Sequence, residues 1–227
     1  MSNQAEGIVR IEPAATVMLL RDTDSGLRVL LLQRETSLAF HGGAWVFPGG
    51  RVEQAEHHQT DPVQAALRAA VRETREEAGL TLDATKLLPF SHWTTPEGRA
   101  RRFATWFFLT HYEGAEEGVA DGSEIRALRW LSPAEALAAH QAREIELPPP
   151  TFVTLSVLDP FKSARDALEA VRGEPPFTFL PRPRSIEGGV VSLYAGDVAY
   201  ESGDPSEPGP RHRLSMLADG WRYERNL

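Results

Sequence analysis

Two apolar, β-branched runs at residues 15–20 and 29–33 flank the polar stretch Asp22-Thr23-Asp24-Ser25-Gly26, a pattern that predicts a β-hairpin. A third short run at 44–47 ends at Pro48-Gly49-Gly50, and further strands are expected at 87–94, 103–112 and 124–131, with acidic, Gly-containing segments between them. Val63, Ala66, Leu67, Ala70, Val71, Thr74 and Ala78 recur at spacings of three and four and define the buried stripe of a helix. Its ends are explicit. Asp61 is the N-cap, Pro62 takes the first helical position, Gln64 lies three residues after the cap and Gly79 terminates, so the helix should run over 62–78.

A second helix is announced by Ser132-Pro133-Ala134-Glu135, a capping box, and continues to about residue 143. Two short helices fit 152–158 and 161–171, split at Asp159-Pro160. From Glu174 onward Pro and Gly are frequent, and loops with short strands near 190–193 and 213–217 are expected. Strands, a helix, then more strands and helices point to an α+β or sandwich-like architecture; a doubly wound parallel sheet would alternate more regularly. No repeat of solenoid length and no long linker divides the chain, so one domain is expected over 1–227, with a core at about 12–143 and an extension over 144–227.

The length of 227 residues, 41% hydrophobic and 25% charged, is ordinary for a folded globular chain. Thirty-two acids against 24 bases give a net charge of -8, which repels a nucleic-acid backbone at long range but leaves room for a local Arg cluster to hold a small phosphorylated ligand. The absence of cysteine excludes disulfides, thiolate metal sites and a Cys nucleophile, and fits a reducing cytoplasm. The polar start does not read as a secretory signal, and nothing approaches the ~18 continuous apolar residues of a membrane span. Glu224-Arg225-Asn226-Leu227 is not the Ser-Lys-Leu peroxisomal address. A cytoplasmic protein with no membrane and no nucleic-acid partner is the expectation.

The chemistry concentrates at Arg72-Glu73-Thr74-Arg75-Glu76-Glu77-Ala78-Gly79-Leu80. On a helix, positions 73, 76 and 77 share one face, so three carboxylates can converge on one cation. Like charges so placed repel, and acids at a helix C-terminus also oppose the macrodipole. A hard, oxygen-ligated Mg²⁺ or Mn²⁺ is the natural counter-charge. The competing reading is a solvated helix with scattered salt bridges, since charged faces of this kind are common. Upstream context argues against it: Phe47-Pro48-Gly49-Gly50 is a tight loop where backbone can approach a ligand closely, and Glu56 follows Gly50 after five residues.

Gly50, Glu56 and the Arg72–Leu80 stretch together resemble the Nudix box. Two departures stand out: fifteen residues separate Glu56 from Arg72 where the family pattern has seven, and Thr74 replaces an aliphatic residue. Leu32-Gln33-Arg34 and the stretch from Phe40-His41-Gly42-Gly43 to Gly50 look like the segment before the box in CoA-diphosphatase Nudix enzymes, although Ala39 and Phe40 replace a basic pair. Trp93-Thr94-Thr95-Pro96, Arg101-Arg102-Phe103 and Leu147-Pro148-Pro149-Pro150-Thr151 resemble the branch containing the testosterone-regulated protein, and the tail around Arg211-His212-Arg213 and Trp221-Arg222-Tyr223 looks like a bacterial extension of it.

That resemblance implies a Nudix fold, a mixed β-sheet sandwiched between α-helices, here with extra C-terminal helices and a Pro/Gly-rich tail. It implies Mg²⁺- or Mn²⁺-dependent hydrolysis of a diphosphate in a small nucleotide-derived molecule, with CoA or acyl-CoA first and ADP-ribose or NADH next. A module that holds a nucleotide without cleaving it is the alternative, and a homodimer is left open. Glu73, Glu76 and Glu77 would ligate the metal with the Gly49 carbonyl, and Arg72 would orient the glutamates. The general base would be Glu73 or, from a later loop, Glu124; Glu97 is a further loop acid. Arg34, Arg101 and Arg102 would clamp the diphosphate, because guanidinium forks match phosphate oxygens. Phe103, Trp45 and Trp93 would either stack on a base or pack in the core. His41 and His92 belong to no metal-binding spacing.

Overall fold

The computed structural model describes residues 9–37, 41–58 and 61–226. Ala39 and Phe40, and Gln59 and Thr60 of the long spacing before α1, lie outside these residues. Strands β1 (Ile11–Thr23) and β2 (Gly26–Arg34) form the expected hairpin, closed more tightly than the polar stretch suggested because Thr23 pairs directly with Gly26. They join β3 (Trp45–Val46), β4 (Gly49–Arg51), β5 (Leu88–Thr94), β6 (Arg102–His111), β7 (Ile125–Leu131) and β8 (Phe177–Phe179) in one mixed sheet. Its order is β3-β2-β1-β6-β5-β8, with β4 paired to β1 and β7 to β2. β1 runs parallel to β6 along its length but changes its other partner midway: residues 14–16 pair with β4 and residues 20–23 with β2. That change opens the sheet beside the Pro-Gly-Gly turn.

Period-two alternation in β1 sends its side chains to two cores. Val17 and Leu19 pack with α1 (Pro62–Ala78), whereas Met18 and Leu20 pack with residues of α2 (Pro133–Gln141), α3 (Pro149–Leu158) and α4 (Ala164–Val171). A mixed sheet between helices is therefore the architecture. Each fully buried Leu or Val here contributes about 1.5–3 kcal/mol through burial, which makes β1 the central girder of the fold. No helix among the described residues is long and apolar enough to cross a membrane.

Helix α1 begins and ends at the expected residues. Asp61 accepts a hydrogen bond from the Val63 amide (2.9 Å), not through a reciprocal box with Gln64, and Gly79 closes the helix at φ 68°. The buried face is wider than the stripe: Ala65 and Ala69 are buried too, while Val63 and Val71 stand at its margins. The Ser132–Glu135 capping box forms as expected, but α2 stops at Gln141, and Arg143 turns into the left-handed region at φ 62°.

The tail departs further from expectation. Instead of loops with two short strands, it forms a four-stranded antiparallel sheet: β9 (Arg182–Ile186), β10 (Gly189–Leu193), β11 (Arg211–Leu217) and β12 (Gly220–Asn226). An aromatic cluster fastens this sheet to the main one. Trp93 stacks on Phe179 with centroids 3.9 Å apart, and Tyr194 meets both edge-on. On another side, Gln141 exchanges two hydrogen bonds with the Trp221 backbone (2.6 and 3.0 Å).

Inside the tail, Asp197 and Arg213 form a buried bidentate pair (2.6 and 2.7 Å), and the Asp197 carboxylate also accepts from the Ala199 and His212 amides. His212 Nδ1 faces the Ala195 carbonyl (2.7 Å) and so carries the proton, leaving Nε2 to accept from the Tyr223 hydroxyl (3.0 Å). The neutral ring is thus satisfied, and burial pushes its pKa below the ordinary 6.5. The unfolded chain takes up a proton near pH 6.5 that the folded ring refuses until a lower pH. Stability is full above that value and is lost as pH falls through the depressed one. His41, His92 and His140 shift the same way for the same first reason. Glu77 and Glu73, whose carboxyls are raised, act in the opposite direction, so the test is a difference: from about pH 7 to about pH 5, Tm should fall less, or rise more, in His212→Gln than in the wild type. An unchanged slope in that variant would refute the assignment to His212.

Candidate active site

The last turns of α1 deliver Glu73, Glu76 and Glu77, and the Pro-Gly-Gly turn is pinned against them. The Val17 amide (3.0 Å) and Thr16 hydroxyl (2.7 Å) both donate to the Pro48 carbonyl, which leads the chain into β4. The Gly49 amide then donates to Glu77 Oε2 (2.8 Å). Both glycines are required by close approach, for different reasons. A Cβ at Gly49 would overlap the Ala15 carbonyl oxygen and lie 2.6 Å from Thr16 Cα; a Cβ at Gly50 would overlap the Glu73 carboxylate, with even its farther oxygen 2.9 Å away.

Arg72 is the brace of this cluster. Its Nε donates to Glu56 (3.0 Å), its Nη1 to Glu73 (2.9 Å) and Glu76 (3.0 Å), and its Nη2 to the Arg51 carbonyl (3.0 Å). Burial alone would weaken the guanidinium's hold on its proton, but Glu56 and Glu73 raise its pKa far beyond the working range. Glu56 is 9% exposed, sits on a short 3₁₀ turn (Gln54–His58), and accepts the Glu53 amide as well (2.7 Å). The longer spacing before α1 therefore leaves Glu56 in contact with the helix, as the anionic anchor of Arg72.

The acids are electrostatically strained. Glu77 is 5% exposed, and burial pushes its carboxyl up to about 8; the Gly49 amide and Arg34 oppose this, while Glu73 and Glu124 add to it. Burial likewise raises Glu73, Arg72 pulls it back, and Glu76 and Glu124 push it up again. Glu73, Glu76, Glu77, Glu124 and Arg34 thus share one electrostatic neighbourhood. Among the described residues, no group of three acidic or histidine side chains is arranged so that it could hold a metal ion as it stands. Arg72 bridges Glu73 and Glu76, and the Gly49 amide holds Glu77. The all-oxygen donor set and the repulsion that Arg72 and Arg34 offset only in part fit a hard divalent cation, which would compete with Arg72 for two of the acids.

The other candidates divide. Glu124 begins the turn into β7, where its amide donates to Asp121 (3.1 Å), its carbonyl accepts from the Glu35 amide (2.7 Å) and its side chain is exposed. Arg34 closes β2 and acts on Glu77. Arg102 instead spends its Nε on the Thr95 carbonyl (3.1 Å), tying the turn between β5 and β6. Phe103 lies under Arg51, and Arg101 and Glu97 are exposed on that same turn. Trp45 and Trp93 are core residues, 4% exposed each, and the His92 ring packs on Trp106. Leu147 is buried and Pro148 caps α3, so the Pro-rich segment is a helix start.

One grouping was not expected from sequence. His41, in the left-handed region at φ 53°, has its pKa lowered first by burial, with Glu146 opposing and Arg34 and Arg99 adding to the fall. Arg99 and Glu146 thus come to the Arg34 side of the site. Neither carries a local motif, and both lie far from His41 in sequence.

Residues 11–149 match the NUDIX domain family. The chain is 32% identical over 157 residues to acyl-coenzyme A diphosphatase NUDT19 of Gallus gallus, covering 63% of this chain and 40% of that protein, so it spans less than half of that relative's length. Against the Homo sapiens protein of the same description, identity is 26% over 277 residues, covering 77% of this chain and 72% of the relative. The crystal structure of a NUDIX hydrolase from Alicyclobacillus acidocaldarius matches with a TM-score of 0.65 at 23% identity, covering 71% of this chain and 97% of that one, a likeness of fold. Because the matched stretch takes in the Pro-Gly-Gly turn, the Arg72 brace and the acidic end of α1 within well over half of its length, the chain belongs to the Nudix family of hydrolases.

Proposed function

We propose that this hydrolase cleaves the diphosphate of a nucleoside diphosphate linked to another moiety, with CoA or acyl-CoA as the first substrate class, and that it needs Mg²⁺ or Mn²⁺ to do so. The observation that carries the reading is the buried Glu77 carboxylate, fixed by the Gly49 amide in the same electrostatic neighbourhood as Glu73. The relatives described as acyl-coenzyme A diphosphatases support the substrate class.

In this reading Glu73, Glu76 and Glu77, with the Gly49 carbonyl, hold the cations. Bound there, the cations would neutralise the diphosphate, polarise a P–O bond and supply an acidified water. The chain's own contribution is position and proton handling. Arg72, anchored on Glu56, keeps Glu73 and Glu76 aligned on one face. Arg34 faces the same acids and pairs with a diphosphate oxygen; Arg101 adds charge from the exposed turn, while Arg102 holds that turn in place. Glu124, exposed and close enough to perturb Glu73 and Glu77, accepts the proton from the attacking water. Water adds to one phosphorus, the bridging P–O bond breaks, and two phosphomonoesters leave.

The test is a panel of CoA, an acyl-CoA, ADP-ribose and NADH, each with Mg²⁺, with Mn²⁺ and with excess chelator, followed by chromatography of the products. Metal-dependent cleavage with CoA compounds preferred is expected. Stabilisation by a nucleotide with no product under either cation would overturn the enzymatic reading in favour of a binding module, and a preference for ADP-ribose would overturn the substrate class.

A further inference from the structure

Against a net charge of -8, the outer side of α1 is a local exception. Arg68, Arg72 and Arg75 follow one another at helical spacings of four and three and line, with Val71, Glu76 and Ala84, an open cavity of about 610 Å³. Arg72 is committed to the acids. Arg68 uses one Nη2 donor on the Glu56 carbonyl (2.7 Å) and keeps the rest of its fork. Arg75 is exposed, and among the described residues no hydrogen bond or ion pair engages its guanidinium. The cavity is contiguous with the acidic cluster, because Glu76 lines one and belongs to the other.

Two guanidinium forks with donors to spare, beside a wall formed by Val71 and Ala84, suit a dianionic phosphate on a compact organic group. We infer that this cavity binds a phosphomonoester carried on the ribose of the same substrate whose diphosphate lies against Glu73, Glu76 and Glu77, and that Arg68 and Arg75 select for it. The inference rests on the reading under Proposed function and sharpens it. A CoA compound carries such a ribose phosphate, whereas ADP-ribose and NADH do not, so the cavity would be the feature that separates these substrates. Each arginine acts by pairing with the phosphate and takes no part in the cleavage.

The experiment compares CoA with dephospho-CoA, which differ only in that phosphate, using the full chain with Mg²⁺. The wild-type protein should favour CoA in kcat/KM by about tenfold, expressed mainly in KM. Arg75→Ala, which removes a side chain without partners, and Arg68→Lys, which keeps a donor for the Glu56 carbonyl, should each bring the ratio of the two substrates toward one. A wild-type ratio of one, or a ratio that survives both substitutions, overturns the inference while leaving the diphosphatase reading intact. A metal-free melt gives an independent readout. Adenosine 3′,5′-bisphosphate should raise Tm more than AMP in the wild type and no more than AMP in Arg75→Ala; equal shifts in the wild type overturn the site. Cleavage of neither CoA nor dephospho-CoA, with the bisphosphate preference present, would instead show that the substrate reading has failed and the phosphate site stands.

Discussion

Glu77→Gln is expected to fold at least as stably as the wild type and to turn over its diphosphate substrate roughly 100-fold more slowly or worse. The two halves of that result have one cause. Glu77 is buried, and its charge is disfavoured by the surroundings while the Gly49 amide needs only an acceptor. A glutamine keeps an acceptor oxygen for that amide and removes the charge, so the fold loses nothing and is relieved of a desolvation penalty. Removing even an indirect partner of a bound metal commonly costs 10–100-fold, so neutralising a direct ligand should cost at least the upper end. Were the acidic helix end only a salt-bridged surface, neither Tm nor kcat would move. Full turnover in Glu77→Gln under saturating Mg²⁺ would therefore refute the metal role. Glu76 is more than half exposed and pairs with Arg72, so Glu76→Gln should lose activity with no gain in Tm.

How much of this site was legible in the sequence depends on the range of the forces involved. The limits of α1 were readable because capping is local: Asp61, Pro62 and Gly79 act within a few residues of the helix ends. The face shared by Glu73, Glu76 and Glu77 was readable for the same reason. What periodicity missed was the depth of burial. Ala65 and Ala69 let α1 approach the sheet closely, and that approach carries Glu77 into the interior.

Glu56 shows the opposite error of scale. Its sequence spacing to Arg72 departs from the family pattern, yet a short 3₁₀ turn restores their contact in space. The strands of the tail were largely illegible. β9 and β12 have no fully buried position and carry several charged residues, and what fastens their sheet is distant: Gln141 holds the Trp221 backbone of β12, and Trp93 meets Tyr194 just after β10. Arg102 was a reasonable phosphate ligand by composition, but the Thr95 carbonyl claims its Nε, and only the folded turn reveals that.

The adjacent glycines of the Pro-Gly-Gly turn should fail in different ways when each is given a methyl group. At Gly49 the added carbon meets backbone, the Ala15 carbonyl and Thr16 Cα, which cannot retreat without breaking the pairing of β4 with β1. Gly49→Ala should cost about 3 kcal/mol, which for a chain of this size lowers Tm by roughly 10 °C. At Gly50 the three atoms nearest the added carbon all belong to the carboxylate end of Glu73, a flexible group that swings away. Gly50→Ala should therefore melt within a few degrees of the wild type but lose roughly 100-fold in kcat, since a displacement of about 1 Å in a catalytic group has that effect. A double-mutant cycle separates this mechanism from general damage. In a Glu73→Ala background the clash has no partner, so adding Gly50→Ala should cost little further activity. Additive losses in that cycle would mean that Gly50 acts through something other than Glu73, and the reading of this turn as the seat of the acidic cluster would have to be abandoned.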